Sequence, residues 1–141
     1  MLVLLVHIAD QLYCIRAAAV VEVVPRVPLQ PVPHAAAEVA GLLHYRSQVI
    51  PVLDLRTLLT GEASCAFLST RIVIIGESAA ESKPLGLIAE RLTEAIDIAE
   101  DAITPAPVTS GDAQWLGGVF VHEGRVAREL LLDRFSVEAV A

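Results

Sequence analysis

Cysteine, basic residues and long apolar runs are all scarce in this sequence, and each shortage excludes a class of protein. The two cysteines, Cys14 and Cys65, are too few and too far apart for a disulfide framework or a zinc site. Ten Lys and Arg stand against seventeen Asp and Glu, and no basic cluster is present to bind nucleic-acid phosphates. No apolar run approaches the roughly 20 residues that span a bilayer. The N-terminal MLVLLVHI lacks the positive region and cleavage site of a signal peptide, so we expect a cytoplasmic protein.

Apolar side chains, by contrast, are in excess. Hydrophobic residues make up 55% of the 141 positions and mean hydropathy is +0.61, which is high for one ordinary domain. Much of the excess is Ala, and the rest is Val, Leu and Ile, which favour strands. Two interpretations stay open: a tightly filled core, or an apolar surface that a partner covers.

Short strand-like runs dominate the chain. We predict about nine or ten of them, separated by turn residues, and no long helical pattern occurs. The fold class is therefore all-β, with barrels favoured over a parallel sheet. Four prolines make Pro25–Pro33 an extended connector. The Ala-rich segment His34–Ala40 predicts one helical turn, which Gly41 ends.

The stretch GLLHYRSQVIPVLDL contains a predicted hairpin. Leu42–Tyr45 and Val49–Leu53 are strand-like runs, and Arg46-Ser47-Gln48 between them has the length of a short hairpin loop. We therefore expect Arg46 at an exposed turn. Pro51 predicts that the second strand is an edge strand or carries a bulge, because proline has no N–H to donate.

Candidates for chemistry have simpler structural explanations. Asp54 could serve as a general base, but its position favours capping a short helix over Leu55–Leu59, which Gly61 ends. The pair Gly117-Gly118 indicates a bulge or a close backbone approach rather than phosphate binding. Four histidines show neither an i, i+4 pair nor a companion ligand at metal-binding spacing; they are His7, His34, His44 and His122. We expect no catalysis, no metal and no cofactor.

The segment AGLLHYRSQVIPVLDLRTLL and five others resemble, in the same order along the chain, segments of the CheW family, the coupling proteins of bacterial chemosensory arrays. AGLLHYRSQVIPVLDLRTLL resembles its signature, in which a Gly, an Arg-Gly pair and an apolar-Pro-apolar-Asp-Leu run recur. Upstream, VVEVVPRVPLQPVP resembles its Val-x-Glu-Val segment and its proline-containing connector. Downstream, STRIVII, LGLIAERLTEAI, ITPAP and GRVARELLLDRF resemble its later strands, so the resemblance covers nearly the whole chain.

The resemblance implies one CheW-like domain over residues 1–141, built of two packed, interleaved SH3-like five-stranded β-barrel subdomains, with Pro25–Pro33 crossing between them. It also implies a non-catalytic adaptor that couples the cytoplasmic tip of a methyl-accepting chemoreceptor to the regulatory domain of a CheA-type histidine kinase. HYRS, LSTRI and LGLIAER resemble the adaptors of Wsp-type surface-sensing systems, which control a diguanylate cyclase. The alternatives are an isolated β-barrel interaction module outside chemosensory signalling and, more distantly, an enzyme.

Receptor contact is carried over from the family to four matching positions: Val20, Glu22, Gly41 and Arg46. By the two-residue period of a strand, Val20 and Glu22 share one face, so an apolar contact and a charge point the same way. Ser47 departs from the family, which usually has Gly after the Arg. Because Ser adopts a positive φ at greater cost than Gly, we expect a different turn shape here.

Kinase contact is assigned through the resemblance to the second barrel, at Arg71, Leu85, Gly86 and Leu87. The receptor-matched residues all precede residue 50, whereas the second set of strands begins at Arg71. We therefore expect separate subdomains to offer separate faces. One copy of the chain would then hold receptor and kinase together, as an adaptor requires.

Overall fold

The computed structural model describes residues 1–76, 83–108 and 114–137, and most of the regular structure in these ranges is β. One short helix, α1 (Leu55–Thr60), and two 3-10 turns, Ala17–Ala19 and Leu132–Arg134, interrupt the strands. The strands are β1 (Leu2–Ile8), β2 (Gln11–Arg16), β3 (Val20–Pro25), β4 (Val39–Tyr45), β5 (Gln48–Asp54), β6 (Arg71–Ile75), β7 (Leu85–Ala89), β8 (Arg91–Asp97), β9 (Leu116–His122) and β10 (Arg125–Leu130). The predicted all-β class is confirmed.

The strands form two five-stranded sheets of equivalent topology. Sheet I has the order β8-β1-β2-β10-β9, and sheet II has the order β3-β6-β7-β5-β4. In each sheet one neighbouring pair is parallel, β2 with β10 and β7 with β5, and the other pairs are antiparallel. Each sheet thus consists of two hairpins joined in parallel and one further edge strand.

The chain passes between the sheets at two short joints. β2 of sheet I leads to β3 of sheet II through Ala17–Ala19, and β7 returns to β8 of sheet I through the single residue Glu90. Sheet I therefore takes its strands from both ends of the chain, and sheet II is built from the continuous stretch between them.

Side chains join the two edge strands of each sheet. In sheet II, Glu22 on β3 accepts hydrogen bonds from Tyr45, the last residue of β4, and from Arg46 just beyond it. In sheet I, Nε2 of His122 on β9 lies 3.5 Å from a carboxylate oxygen of Glu94 on β8. Both sheets curl until their edges approach, which gives each the outline of a small barrel.

Buried side chains form a cluster between the sheets and a further cluster within each. The shared cluster joins residues such as Ile15 of sheet I to Val73 and Leu87 of sheet II. The others centre on Phe120 in sheet I and Ile72 in sheet II. Because clusters cover both faces of sheet II, its central strands β6 and β7 are buried along nearly their whole length.

Two expectations for the segment before the hairpin are wrong. The connector Pro25–Pro33 does not cross between subdomains, because it leads from β3 to β4, the two edges of sheet II. Residues 34–38 form turns rather than a helix, and Gly41 lies inside β4.

Within the connector, Gln30 exchanges two backbone hydrogen bonds of 2.9 and 2.8 Å with Leu42. The connector therefore covers part of an edge strand that would otherwise present unpaired backbone groups.

The predicted edge position of the second hairpin strand is wrong, whereas the predicted helix after it is confirmed. β5, which contains Pro51, is an interior strand between β7 and β4 rather than an edge. Its pairing with β7 begins only at Val52, so the proline lies beyond the end of that ladder. The helix is as predicted: Asp54 accepts a hydrogen bond of 3.0 Å from the N–H of Arg56, and Gly61 ends α1 in the left-handed conformation.

Candidate partner-binding site

A two-residue turn presents Arg46 to solvent at the tip of the β4–β5 hairpin. Tyr45 and Gln48 are paired, so the turn is Arg46-Ser47 and is one residue shorter than predicted. Both residues have positive φ, 46° and 67°, as type I′ hairpin turns require. Ser47 thus adopts the left-handed conformation for which glycine is the usual residue. The exposed position of Arg46 at a hairpin turn is confirmed.

Glu22, Tyr45 and Arg46 form a connected polar group beside this turn. Glu22 accepts a hydrogen bond of 3.0 Å from the Tyr45 hydroxyl and pairs with the Arg46 guanidinium. The guanidinium carbon also lies 5.3 Å from the centre of the Tyr45 ring. Burial and the hydrogen bond to Glu22 both raise the pKa of Tyr45. The structure therefore brings together two of the four receptor-matched residues, which are 24 positions apart, and leaves the Arg46 side chain 68% exposed.

A β-bulge changes how β3 presents its side chains. Val20 pairs with Ile75 and Glu22 pairs with Ile74, so the register shifts by one residue at Val21. Neighbouring residues on β6 face opposite sides of the sheet, so Val20 and Glu22 do as well. The expectation that they share a face is wrong, because strict two-residue alternation holds only without a bulge.

The side chain of Val20 lines a groove on the face of the sheet opposite to Glu22. It is half-buried and packs against the shared cluster between the sheets, whereas Val21 beside it is 54% exposed. The groove has a volume of about 180 Å³ and lies where the first joint, β3, the end of β6 and the second 3-10 turn meet. Its lining residues are Ala18, Ala19, Val20, Val21, Ile75, Gly76, Leu132 and Asp133. A mostly apolar groove therefore adjoins the strand that carries Glu22.

The glycine at position 41 is explained by the chain's own connector. A Cβ at Gly41 would lie 2.7 Å from the Gln30 carbonyl oxygen and 2.8 Å from Cβ of Leu29, and the φ of Gly41 is +151°. Any other residue would push the connector off β4. Gly41 was expected to permit close approach of a receptor; the close approach that the structure contains is intramolecular.

Three of the four residues assigned to kinase contact are buried. Leu85 and Leu87 are 4% and 0% exposed, and Gly86 faces the side chains of Val52 and Ile72. They belong to β7, the central strand of sheet II, so they cannot form a docking surface. The assumption behind the assignment is also wrong, because β6 and β7 lie in the same sheet as the receptor-matched residues.

Arg71, the fourth of these residues, is partly exposed but already has partners. Its Nη1 donates to the backbone carbonyl oxygens of Leu68 at 2.6 Å and Thr70 at 2.8 Å. Arg71 therefore supports the loop that precedes β6 and does not extend freely toward a partner.

Buried carboxylates in this molecule serve the fold. The carboxylate of Asp54 accepts from Arg56 N–H and from both the N–H and the hydroxyl of Ser64, so it caps α1 rather than acting as a base. Within the described ranges, no group of three His, Cys, Asp or Glu side chains is placed to hold a metal. Nor does any helix there have the length and apolar character needed to cross a bilayer.

Glu90, the joint between β7 and β8, accepts hydrogen bonds from both sheets. Its side chain is 2% exposed and accepts hydrogen bonds from Ala9 N–H at 3.0 Å, Arg56 Nη1 at 2.8 Å and Cys65 N–H at 2.8 Å. Ala9 belongs to the β1–β2 turn of sheet I, and the other two donors lie on the sheet II side. Burial favours the neutral acid, but these hydrogen bonds outweigh it and hold the pKa of Glu90 below its ordinary value of 4.5.

The fold defines a class: a module of two five-stranded β-sheets that pack on one shared core. Its exposed features include a charged pair at a hairpin turn and an apolar groove, and its buried carboxylates Asp54 and Glu90 accept hydrogen bonds within the fold. The CheW-like domain profile matches residues 2–138, and the chain therefore belongs to the CheW family. Proteins of this family are non-catalytic scaffolds, so the enzyme alternative is excluded.

Individual relatives agree with this placement. The chain is 29% identical over 129 residues to the chemotaxis protein CheW of Rhizobium meliloti (strain 1021). The aligned stretch covers 90% of this chain and 81% of the relative. It is also 30% identical over 105 residues to the chemotaxis protein CheW of Helicobacter pylori. That match covers 74% of this chain and 62% of the relative. Among solved structures, the scaffolding protein TtCheW from Thermoanaerobacter tengcongensis superposes with a TM-score of 0.81 at 25% identity, covering 92% of this chain and 82% of that one.

Sequence reasoning missed two surface features. Val21 is more exposed than Val20, and only the bulge reveals this. Phe67 and Leu68 precede β6 in a loop, and Leu68 is 99% exposed. The available signal was a pair of large apolar residues inside an otherwise polar loop.

Proposed function

We propose that this chain is an adaptor that couples the cytoplasmic tip of a methyl-accepting chemoreceptor to the regulatory domain of a CheA-type histidine kinase. Membership in the CheW family supports the coupling role, and relatives named chemotaxis proteins point to the same pathway class. A receptor tip of this kind lies in the cytoplasm, which places the adaptor there too. The observation that carries the proposal is the exposed pair of Arg46 with Glu22 on β3, a strand whose first residues also line an apolar groove.

Receptor binding in this proposal uses both parts of the site. The groove at Val20 and Val21 accepts an apolar side chain of the receptor, and burial there supplies affinity. Arg46 meets a receptor carboxylate, which sets orientation and association rate more than total affinity. The Glu22 and Tyr45 contacts hold the Arg46 side chain in place before binding, so less side-chain freedom is lost on association.

The test is binding of a receptor signalling tip to the Arg46→Glu variant. We expect a loss of at least about tenfold in affinity, because the reversed charge meets the receptor carboxylate and leaves Glu22 beside a like charge. Thermal stability should change little, since exposed ion pairs contribute under about 1 kcal/mol. Arg125→Glu is the matched control, because Arg125 is an exposed arginine directly after the equivalent turn of sheet I.

A charge swap separates a direct contact from a positioning effect. In the double variant Glu22→Arg with Arg46→Glu the intramolecular pair can form again with opposite polarity. If the receptor contacts the arginine itself, binding stays weak in the swap. Full recovery of binding would show that only the pair's presence matters, and unchanged binding by Arg46→Glu would remove Arg46 from the interface.

Within the family, we propose membership in the Wsp-type surface-sensing branch. HYRS, LSTRI and LGLIAER support this assignment. In a bacterium that carries this chain, deletion should then change the cellular level of cyclic di-GMP and leave swimming unaffected. A swimming defect with unchanged cyclic di-GMP would assign the chain to a flagellar pathway instead.

A further inference from the structure

The groove beside β3 takes its walls from both sheets. Val20 and Ile75 belong to sheet II, whereas Leu132 and Asp133 follow β10 of sheet I. The chain passes between the sheets here through Ala17–Ala19, whose methyl side chains cannot form hydrogen bonds. Apolar contacts are not directional, so they fix the spacing of the walls less strictly than hydrogen bonds do. The width of the groove therefore depends on how the two sheets are oriented.

The second joint between the sheets, at Glu90, is held by directional hydrogen bonds. The Glu90 carboxylate joins Ala9 of sheet I to donors on the sheet II side. The Glu90 carbonyl oxygen accepts from Thr70 Oγ1 at 2.6 Å. Close by, Leu92 N–H on β8 donates to the carbonyl oxygen of Ser69, in the loop before β6, at 2.9 Å. Because hydrogen bonds constrain both distance and angle, this joint sets the orientation of the sheets.

The groove and the Glu90 joint lie at opposite ends of β6. Ile75 lines the groove, whereas Arg71 at the other end of the strand pairs with Ala89, the residue before Glu90. Four residue steps of about 3.3 Å separate the two ends by roughly 13 Å. The shared apolar cluster lies between the sheets and includes Ile75 at the groove end. A change in sheet orientation at Glu90 would therefore reach the walls of the groove.

We propose that Glu90 is a positioning residue for receptor binding, because it fixes the angle between the two sheets and thereby the width of the groove at Val20. This inference rests on the proposed function, in which the groove accepts a receptor side chain. Glu90 does not line the groove, so it acts only through the orientation of the sheets. Without its carboxylate the sheets sample more orientations, and the receptor binds only the fraction with the correct groove.

The Glu90→Gln variant uncouples the sheets with little change in side-chain volume. One carboxylate oxygen accepts from Ala9 N–H, and the other accepts from Arg56 and from Cys65 N–H. An amide has one acceptor oxygen and one NH₂ group, so one side of the joint loses its acceptor. Glu62→Gln is the matched control, because Glu62 is an exposed partner of the same arginine.

The first test measures the width of the groove in the absence of a receptor. Spin labels on Val21→Cys and Asp133→Cys report the distance between the two walls. The labelled chain also carries Cys65→Ser, which removes the exposed thiol and keeps the backbone N–H that donates to Glu90; Cys14 is buried. We expect Glu90→Gln to broaden the distribution of distances and Glu62→Gln to leave it unchanged.

The second test measures binding of a receptor signalling tip to the unlabelled variants. We expect Glu90→Gln to weaken binding by about threefold to tenfold and Glu62→Gln to remain within about twofold of wild type. Gly118→Ala controls for stability, because its added methyl group disturbs the connector of sheet I and neither joint. It should lower the melting temperature and bind the receptor as wild type does.

A further variant loosens the same joint without changing Glu90. Thr70→Val keeps the side-chain shape and removes the hydroxyl that donates to the Glu90 carbonyl oxygen. It should broaden the distances and weaken receptor binding in the same direction as Glu90→Gln. If Glu90→Gln does not fold, Thr70→Val decides the question, and wild-type distances and affinity in that variant would overturn the inference.

Three other outcomes would overturn the positioning role. In the first, the distances in Glu90→Gln match those in Glu62→Gln, so Glu90 does not set the groove. In the second, the distances broaden but receptor affinity stays unchanged. In the third, Gly118→Ala loses as much affinity as Glu90→Gln, which reduces the effect to stability. All three leave the proposed function intact, whereas a wild-type chain that does not bind the receptor tip would overturn both.

Discussion

Sheet I and sheet II have the same strand order but join their edge strands through different chemistry. In sheet II, Glu22 bonds to an arginine and a tyrosine, and the arginine keeps its charge at any pH at which proteins fold. In sheet I the corresponding contact pairs Glu94 with His122, which is charged only when protonated. The same topology thus joins its edge strands through a glutamate with an arginine and a tyrosine in one half, and through a glutamate with a histidine in the other.

In both sheets, a connector pairs with the backbone of an outer strand. In each, a connector runs along the outer strand of a hairpin and exchanges two hydrogen bonds with it, Gln30 with Leu42 and Thr104 with Val119. The residue before each bridged strand position is a glycine, Gly41 or Gly118, and a Cβ at either would overlap the connector. These glycines belong to the architecture, because both sheets need them whatever the sheets bind.

The hairpin turns show where the two sheets differ in surface charge. Both turns have two residues with positive φ, Arg46-Ser47 in sheet II and Glu123-Gly124 in sheet I. One presents a positive side chain and the other a negative one. The two sheets therefore share a topology but not a surface charge. A receptor carboxylate that binds Arg46 would be repelled by Glu123 at the equivalent turn of sheet I.

The largest expected effect comes from cutting the connection between the sheets at Glu90. Glu90→Ala leaves the partly buried Arg56 and two N–H groups without their acceptor, so the free energy of unfolding should fall by about 3–5 kcal/mol. Chemical denaturation measures this directly. Glu62→Ala removes an exposed partner of the same arginine and should cost under about 1 kcal/mol.

Acid titration of the same residue sharpens the result. Because the pKa of Glu90 is lower in the folded chain than its ordinary 4.5, its stabilisation is complete above that value and is lost as pH falls through the folded pKa. Glu90→Gln should therefore flatten the fall of stability below about pH 4.5. Wild-type and variant curves that run parallel in acid would contradict the role of Glu90 as a charged acceptor.

Substituting the two equivalent glycines tests whether the sheets really correspond. Gly41→Ala and Gly118→Ala should each destabilise the chain by about 2–4 kcal/mol, since the added methyl group displaces a connector. Gly61→Ala is the control, because its φ is positive but no atom lies within 4 Å of an added Cβ, and about 1 kcal/mol is expected. A small effect at only one of Gly41 and Gly118 would break the equivalence.

The smallest expected effect concerns the second residue of each turn. Ser47 and Gly124 have similar φ values of 67° and 78°, so exchanging their residue types should shift stability in opposite directions. Ser47→Gly should stabilise and Gly124→Ser should destabilise, each by about 0.5–1 kcal/mol. Thermal melts compare the two, and a shift of the same sign in both would mean that φ does not control these turns.

The sequence predicted local features better than the assignment of strands to sheets. The cap at Asp54 and the end of α1 at Gly61 depend on neighbours in the chain, which a pattern shows. The close approach at Gly118 was predicted from the glycine pair alone, and its partner, the connector at Thr104, was not. The bulge at Val21 reversed the face of Glu22, and no local signal marks it.

The buried strand β7 was within reach of sequence reasoning. LGLIA is a continuous apolar run without polar alternation, which is typical of a strand covered on both faces. Its residues therefore could have been excluded from the binding surface. By contrast, the parallel pairing of β5 with β7, which places β6 and β7 in the receptor-facing sheet, depends on contacts distant in the chain and is invisible to periodicity.

The central claim is that one copy of the chain holds receptor and kinase at the same time, on surfaces that do not overlap. The most direct measurement binds a labelled receptor tip to the full chain and then adds excess kinase regulatory domain. The account predicts that the label stays bound and that the complex grows by the mass of the kinase domain, because the two sites do not overlap. Displacement of the labelled tip would contradict it.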